Sequence, residues 1–93
     1  MIVINKDMNR TEHVDTHFVE LFKKELEAYC SYKDIAEATD DYILELALNE
    51  IMEDEYLHAK FLRNFMMEHN TYPLDENDEW EKKFIKIHKK MVM

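Results

Sequence analysis

The chain contains no glycine and only one proline among its 93 residues. Glycine adopts positive φ without a steric penalty, so a chain that lacks it is poorly suited to tight β-hairpins and phosphate-binding glycine loops. Right-handed helices need no such positions. The length allows one domain, and an apolar fraction of 46% is too high for a disordered acidic tail. We therefore expect a single all-α domain over residues 1–93.

The charge balance restricts the partners and the environment of this domain. Twelve Lys and Arg residues against 21 Asp and Glu residues give a formal net charge of −9, which disfavours nucleic-acid binding through a basic surface. No apolar run approaches the roughly 20 residues of a membrane span, so no membrane partner is expected. The single cysteine, Cys30, cannot form an internal disulfide. This cysteine usage is typical of the reducing cytoplasm, which is the expected location.

Two short polar stretches divide the chain into helical segments. Residues 39–41 have the sequence Thr-Asp-Asp, which favours turns and helix N-caps, and Pro73 disfavours helix at the residue before it. Between these breaks, apolar residues recur at alternating steps of three and four, as in helical bundles. Because the first break is so short, the first two helices are predicted to form an antiparallel hairpin. The predicted segments are an N-terminal arm at 1–10, a first helix at 12–38, a second at 41–69 and a shorter third helix at 75–91.

Three ionisable residues interrupt the apolar stripes of the first two helices. Glu25 lies on the first stripe, and Glu55 and His58 lie on the second. Burying an unpaired carboxylate costs several kcal/mol, so protonation, a salt bridge or a metal ion must neutralise these groups. Neither stripe contains Lys or Arg, and a salt bridge therefore lacks its cation. A metal ion is the most economical explanation.

The spacing of these residues is consistent with one site. Glu55 and His58 are three residues apart, on adjacent turns of one helix face. Glu25 lies 15 residues before Asp40 and Glu55 lies 15 after it, so antiparallel pairing brings them level. Carboxylate oxygen and imidazole nitrogen together suit iron, manganese or zinc. Glu25, Glu55 and His58 are the predicted metal ligands.

One chain supplies only half of a familiar ligand set. Di-iron carboxylate bundles use one Glu from each of two helices and a Glu-x-x-His motif from each of the other two. A two-fold dimer of hairpins would provide two copies each of Glu25, Glu55 and His58. It would also cover the apolar stripes, which one hairpin leaves without a second layer. We therefore expect a homo-dimer, or a higher homo-oligomer built from dimers, whose four long helices complete a bundle.

The runs ELEAYCSY (25–32) and EDEYLHAKFL (53–62) resemble the encapsulated ferritins, members of the ferritin-like superfamily that carry half a ferritin bundle in each chain. The family pattern has Glu-x-x-Ala-x-x-x-Tyr on the first helix and Glu-x-x-His-Ala on the second. Its two metal-binding glutamates are 30 residues apart, as Glu25 and Glu55 are here. The resemblance covers about residues 16–68. It implies a ferritin-like four-helix bundle completed by dimerisation.

The same resemblance implies a function. It indicates a ferroxidase that oxidises Fe(II) to Fe(III) at a di-iron site on the dimer interface, with Mn or Zn as substitutes. The catalytic residues would be the three ligands Glu25, Glu55 and His58. Tyr32, two turns from Glu25 on the same helix face, either packs in the core or takes a hydrogen-bonding or redox role beside one of these ligands. Family members enter an encapsulin shell through a glycine-containing tail, but this chain ends in KKMVM. A shell partner and location in a protein nanocompartment are therefore unsupported.

Two other functions are compatible with the same residues. The first is a non-catalytic assembly or interaction module in which a metal ion stabilises the dimer. The second is a metal-free helical interaction protein in which burial keeps Glu25 and Glu55 protonated. Metal analysis of the purified protein separates the metal-free alternative from the other two functions.

Overall fold

A computed structural model describes the backbone of residues 8–92 and the side chains of residues 16–92. Three helices and no strand are found in these residues: α1 (Met8–Ala38), α2 (Tyr42–Glu68) and α3 (Glu79–Met91). The prediction of an all-α chain is confirmed. Most of the predicted arm at 1–10 lies outside the described residues, and its last three residues already belong to α1. None of the helices in the described part is long and apolar enough to span a membrane.

α1 and α2 form an antiparallel pair. The rings of Phe18 and Phe65 lie 5.2 Å apart near one end of the pair, and Glu25 contacts His58 further along it. Early residues of α1 thus meet late residues of α2. The helices are joined by residues 39–41, and the side chain of Asp41 accepts the backbone N–H of Leu44 at 3.0 Å as the N-cap of α2.

α2 ends without the glycine that usually terminates a helix. Asn70 adopts the left-handed conformation, with φ of 57°, which asparagine tolerates better than most residues. Its backbone N–H bonds to Met67 O at 3.1 Å, and the N–H of Thr71 bonds to Met66 O at 2.8 Å. These two bonds satisfy carbonyl groups that the helix end leaves free, as in a Schellman motif.

α3 begins at Glu79, four residues after the predicted start at 75. The carboxylate of Asp78 accepts the backbone N–H groups of Trp80 and Glu81, at 2.7 and 3.2 Å, and so caps the helix. The carboxylate of Asp75 instead accepts the N–H of Asn77, forming a turn. The acidic residues between 75 and 81 therefore supply a turn and a cap before the last of them become helical.

The core lies where α3 covers one side of the α1–α2 hairpin. Phe84 of α3 is 1% exposed, and its ring lies 5.8 Å from that of Phe22 and 6.0 Å from that of Tyr56. The hydroxyl of Tyr56 is 2.7 Å from Nδ1 of His88. Because α3 occupies only this side, no helix within residues 8–92 packs against the opposite side of the hairpin.

An ion pair attaches α3 to α2. Arg63 donates from Nε and Nη2 to the two carboxylate oxygens of Glu81, at 2.9 and 2.6 Å, and both side chains are largely buried. Tyr72, in the link between the helices, donates its hydroxyl hydrogen to the same carboxylate. Burial alone would raise the pKa of the Glu81 carboxyl, but the bonds from Arg63 and Tyr72 outweigh it and hold that pKa below its ordinary value. The pKa of Tyr72 is raised by burial and by the Glu81 carboxylate.

Candidate metal site

The three predicted ligands come together midway along the hairpin. Nδ1 of His58 lies 2.7 Å from a carboxylate oxygen of Glu25 and 3.6 Å from one of Glu55. One ligand atom from each residue lies within 4.8 Å of the other two, and this is the only such group of three or more His, Cys, Asp and Glu side chains among the described residues. Helix register explains the convergence: Glu55 and His58 lie on adjacent turns of α2, and antiparallel pairing places Glu25 opposite them.

The site is partly open to solvent. The Glu55 and Glu25 side chains are 18% and 23% exposed, whereas that of His58 is 62% exposed. Burial raises the pKa of the Glu55 carboxyl above its ordinary value, the negative charge of Glu25 raises it further, and His58 opposes both effects only in part. Two carboxylates facing each other in a half-buried position favour the arrival of a cation.

The donor set suits a divalent transition metal. Two carboxylates and one imidazole match the ligands that proteins use for iron, manganese and zinc. Nδ1 is the ring nitrogen of His58 that faces both carboxylates, so it is the nitrogen placed to bind a metal ion. Since a carboxylate only accepts, the bond to Glu25 is donated by an Nδ1 hydrogen. A cation held among the three donors would take the place of that hydrogen, with the ring proton of His58 then carried on Nε2.

Apolar residues surround the site on the side of the hairpin that α3 does not cover, which we call the open face. Position 58 is two residues after Tyr56, which packs on α3, so His58 points about 200° around the helix from it. The exposed apolar residues on this side of α2 are Ile43, Leu44, Ile51 and Phe61, which are 72%, 42%, 38% and 65% exposed. Together with Glu25, Glu55 and His58 they define the open face.

Only part of the predicted apolar stripes lacks a second layer within one chain. Their apolar members include Phe18 and Phe22 on α1 and Leu44, Leu48, Ile51 and Leu62 on α2. Phe22 and Leu48 are buried inside the chain, at 0% and 6% exposure. Phe18 and Leu62 are partly buried against the core. Leu44 and Ile51 remain exposed. The need for a further layer is thus confined to the open face.

Tyr32 does not join the ligand group within one chain. It is partly buried against the core, and among the described side chains it forms no hydrogen bond to Glu25, Glu55 or His58. Position 32 is two turns from position 25, which is about 10 Å along the helix. The hydrogen bond predicted for Tyr32 is therefore not formed among the described side chains.

The remaining histidines have other partners or surroundings. At the end of α2, Nδ1 of His69 lies 2.8 Å from the carbonyl oxygen of Phe65. His88 forms a hydrogen bond with Tyr56. His17 is exposed, and His13 lies outside the described side chains. None of the three described histidines belongs to the ligand group.

Sequence reasoning missed the Arg63–Glu81 pair. Arg63 lies outside the apolar stripe that carries Glu55 and His58, and Glu81 lies in a run of acidic residues at the start of α3, so neither residue is singled out by the pattern. A signal was available, because Arg63 continues the 4-3-4 spacing of Met52, Tyr56 and Ala59, all of which are buried. That spacing marks a second buried stripe, on the side that receives α3.

Comparison with protein-family models, with curated proteins and with solved structures found no match to this chain.

Proposed function

We propose that the chain is a ferroxidase that binds Fe(II) as its substrate and oxidises it to Fe(III). The observation that carries this proposal is the convergence of Glu25, Glu55 and His58, whose ligand atoms lie within 4.8 Å of one another. The resemblance of residues 16–68 to encapsulated ferritins favours iron over the other metals that such donors accept.

The proposed active unit is a two-fold dimer. One chain offers three protein donors, too few for two iron ions with their usual coordination numbers. In a two-fold contact the same surface is used on both copies, so pairing two open faces doubles the ligand set and buries Ile51 and Leu44. Four carboxylates would then face two divalent ions, and their formal charges cancel.

The residues have separate roles in this reaction. The carboxylates of Glu25 and Glu55 bind Fe(II) and, being anionic, bind the more highly charged Fe(III) still more strongly, which favours oxidation. His58 supplies a neutral donor at Nδ1 when its ring proton is carried on Nε2. Each Fe(II) gives up one electron, and dioxygen or peroxide accepts the electrons together with protons from solvent.

Fe(II) titration of ligand variants tests the proposal. Calorimetric titration without oxygen measures binding, and oxygen uptake after mixing with air measures oxidation. Glu55→Gln and His58→Ala should each abolish stoichiometric binding and reduce the oxidation rate at least tenfold, since each removes a donor from a small set. Glu20→Gln and His17→Ala, which change exposed residues of α1, are the matched controls and should behave as the wild type.

Two results would contradict the proposal. Unchanged Fe(II) stoichiometry in both ligand variants would exclude this site. Stoichiometric binding without faster formation of Fe(III) than in buffer would exclude the ferroxidase and leave a metal-stabilised assembly module.

A further inference from the structure

Tyr56 and His88 form a hydrogen-bonded pair between α2 and α3. The Tyr56 hydroxyl lies 2.7 Å from Nδ1 of His88, and Tyr56 is 4% exposed. Among the described residues, no other acceptor lies within hydrogen-bond distance of this hydroxyl. The phenol therefore donates its hydrogen to Nδ1, and the ring hydrogen of His88 is carried on Nε2. A buried phenol thus lies directly against a base.

This arrangement meets the main requirement for one-electron oxidation of a phenol. A phenol that loses an electron becomes a strong acid, and its positive charge is costly in an apolar core unless the proton leaves at once. Nδ1 of His88 lies within reach for proton transfer. His88 is only half-buried, so the positive charge that the proton brings would lie at the solvent edge. A neutral radical would remain on Tyr56.

The other tyrosines with described side chains lack such a base. The hydroxyl groups of Tyr29 and Tyr32 form no hydrogen bond with the described residues. Tyr42 is 67% exposed, so a radical there would meet other molecules. Tyr72 donates to the Glu81 carboxylate, which is already committed to a buried ion pair that protonation would break.

Trp80, the single tryptophan, is the other readily oxidised aromatic residue. The Lys83 ammonium group lies 4.5 Å from the centre of its ring, and this positive charge disfavours the loss of an electron from the indole. The Tyr56 ring instead stacks against that of Phe84, with 15° between the ring planes. This stack covers the phenol, so an oxidising equivalent that reaches the core is held most favourably at Tyr56.

Tyr56 is also next to the candidate metal site along the chain. It follows Glu55 directly, so their Cα atoms are about 3.8 Å apart, although the two side chains point to different sides of α2. An electron, unlike a proton, can cross such a distance through bonded atoms without contact between the side chains. The pair is therefore placed to exchange electrons with chemistry at Glu55.

We propose that Tyr56 and His88 form a redox-active pair that accepts the oxidising equivalent of a hydroxyl radical, formed where peroxide meets Fe(II). The hydroxyl radical takes one electron from the Tyr56 phenol and one proton from solvent, and becomes water. The phenol proton passes to Nδ1 of His88, which leaves a neutral phenoxyl radical and an imidazolium. A further Fe(II) ion then gives one electron to the phenoxyl radical and becomes Fe(III), while the imidazolium returns the proton. The inference rests on the proposed function for the source of the hydroxyl radical, whereas the pair itself needs no metal.

Photochemical oxidation of the metal-free protein tests the pair without iron. After removal of metal by dialysis, a light flash generates ruthenium(III) tris(bipyridine) as the one-electron oxidant, and electron paramagnetic resonance follows the phenoxyl radical. A long-lived signal is expected, and it should narrow when the tyrosine rings are deuterated. Tyr56→Phe should shorten its lifetime about tenfold, since the remaining radicals are less well covered. Tyr42→Phe removes one exposed phenol and should leave the long-lived signal in place.

His88→Phe tests the base. Phenylalanine keeps a ring against Phe84 but cannot accept a proton, so radical formation should slow by about tenfold. His69→Phe is the matched control, because His69 also stacks on a phenylalanine, Phe65, and should form the radical at the wild-type rate. The wild type should react more slowly in D₂O than in H₂O, and this isotope effect should disappear in His88→Phe. Circular dichroism checks that the variants stay folded.

Fe(II) with hydrogen peroxide tests the source of the oxidising equivalent. Without the pair, oxidation should reach other side chains, so Tyr56→Phe should accumulate more methionine sulfoxide than Tyr42→Phe, as measured by mass spectrometry. A long-lived radical in Tyr56→Phe, an unchanged rate in His88→Phe, or equal methionine oxidation in the two tyrosine variants would overturn the proposal. The photochemical result does not depend on Fe(II) binding, so the redox pair and the ferroxidase can fail separately.

Discussion

At the scale of single residues, the candidate metal site combines burial with like charge. Glu55 is the most buried of its three members, at 18% side-chain exposure, and it faces a second carboxylate. Both conditions disfavour its ionised form. Without a metal, His58 is the one group among the described side chains that lowers the pKa of Glu55, and it is itself mostly exposed. At neutral pH the ionised Glu55 therefore lowers the stability of the folded protein.

The stability of the metal-free protein should reveal this cost through its pH dependence. The pKa of Glu55 is raised in the folded chain, so the folded state binds a proton more tightly than the unfolded state. The resulting stabilisation is fully present below the unfolded pKa and is lost as the pH rises through the folded pKa. Relative to Glu55→Gln, the wild type should therefore become less stable between about pH 4 and 7, the range above the ordinary glutamate pKa.

Urea denaturation of both proteins in a chelating buffer measures this difference at each pH. Taking the difference in the free energy of unfolding removes the contributions of titrating groups that the two proteins share. Glu20→Gln, an exposed substitution, should show no such trend. A difference between the wild type and Glu55→Gln that is constant over this range, or that favours the wild type at higher pH, would contradict a raised pKa at Glu55.

The approach of Glu25, Glu55 and His58 could be predicted because helix register is regular. Once two long helices are joined by a short break, residues equidistant from that break meet, and steps of three and four decide which share a face. The Arg63–Glu81 contact could not be predicted in this way. It depends on the path of residues 69–78, whose direction is set by the cap at Asn70 and the turn at Asp75. These residues show no helical periodicity from which that path could be inferred.

At the scale of helices, the attachment of α3 to the hairpin centres on Phe84 and one ion pair, with Ile87 buried nearby and His88 bonded to Tyr56. Phe84 lies between Phe22 and Tyr56, and Arg63 lies over the Phe84 ring at 4.8 Å while it binds Glu81. The guanidinium thus contributes to packing as well as to charge. The attachment of this 13-residue helix depends strongly on Arg63.

Arg63→Met should destabilise the protein by about 3 kcal/mol. The change leaves the Glu81 carboxylate buried without its cation, and loss of one partner from a buried pair typically has a cost of this size. Thermal or urea unfolding measures it. Adding Glu81→Leu removes the stranded charge, so the double variant should recover much of the loss. A single variant as stable as the wild type, or a double variant no better than Arg63→Met, would contradict this role.

At the scale of the whole molecule, the chain is a slab with extents of 53 × 31 × 19 Å. α3 covers one broad side, and the open face occupies the other with exposed Ile43, Leu44, Ile51 and Phe61. A helical chain of this size gains little from its own core, and association that buries such a face adds apolar area. The candidate metal site lies on that same face, so the proposed dimer and the proposed metal site share one surface.

Ile51→Asp should weaken dimerisation and Fe(II) oxidation together while the chain stays folded. Position 51 is exposed, so the substitution creates no buried charge in a single chain, but in the proposed dimer it does. Leu46→Asp is the matched control, since Leu46 is 44% exposed and points about half a turn around α2 from Glu55. It should leave both properties unchanged.

Analytical ultracentrifugation and oxygen uptake on the same samples, over a series of protein dilutions, measure the two properties. Metal that binds only the dimer must strengthen it by mass action, so Fe(II) or Zn(II) should shift the wild type toward dimer. Oxidation at the full rate per chain by a monomer would contradict a site shared between two chains.

The hairpin register also limits how genes for such chains can change in length. Insertion of one codon within either helix, between the ligand position and residues 39–41, would rotate that ligand by about 100° and shift it about 1.5 Å along the axis. A codon inserted within 39–41 would lengthen only the connection and leave both helices in place. Descendants that keep the site should therefore differ by substitution along residues 25–38 and 42–58, and by length only in the connection. Among related sequences, the number of residues between Glu25 and Glu55 would then vary less than the identities of those residues.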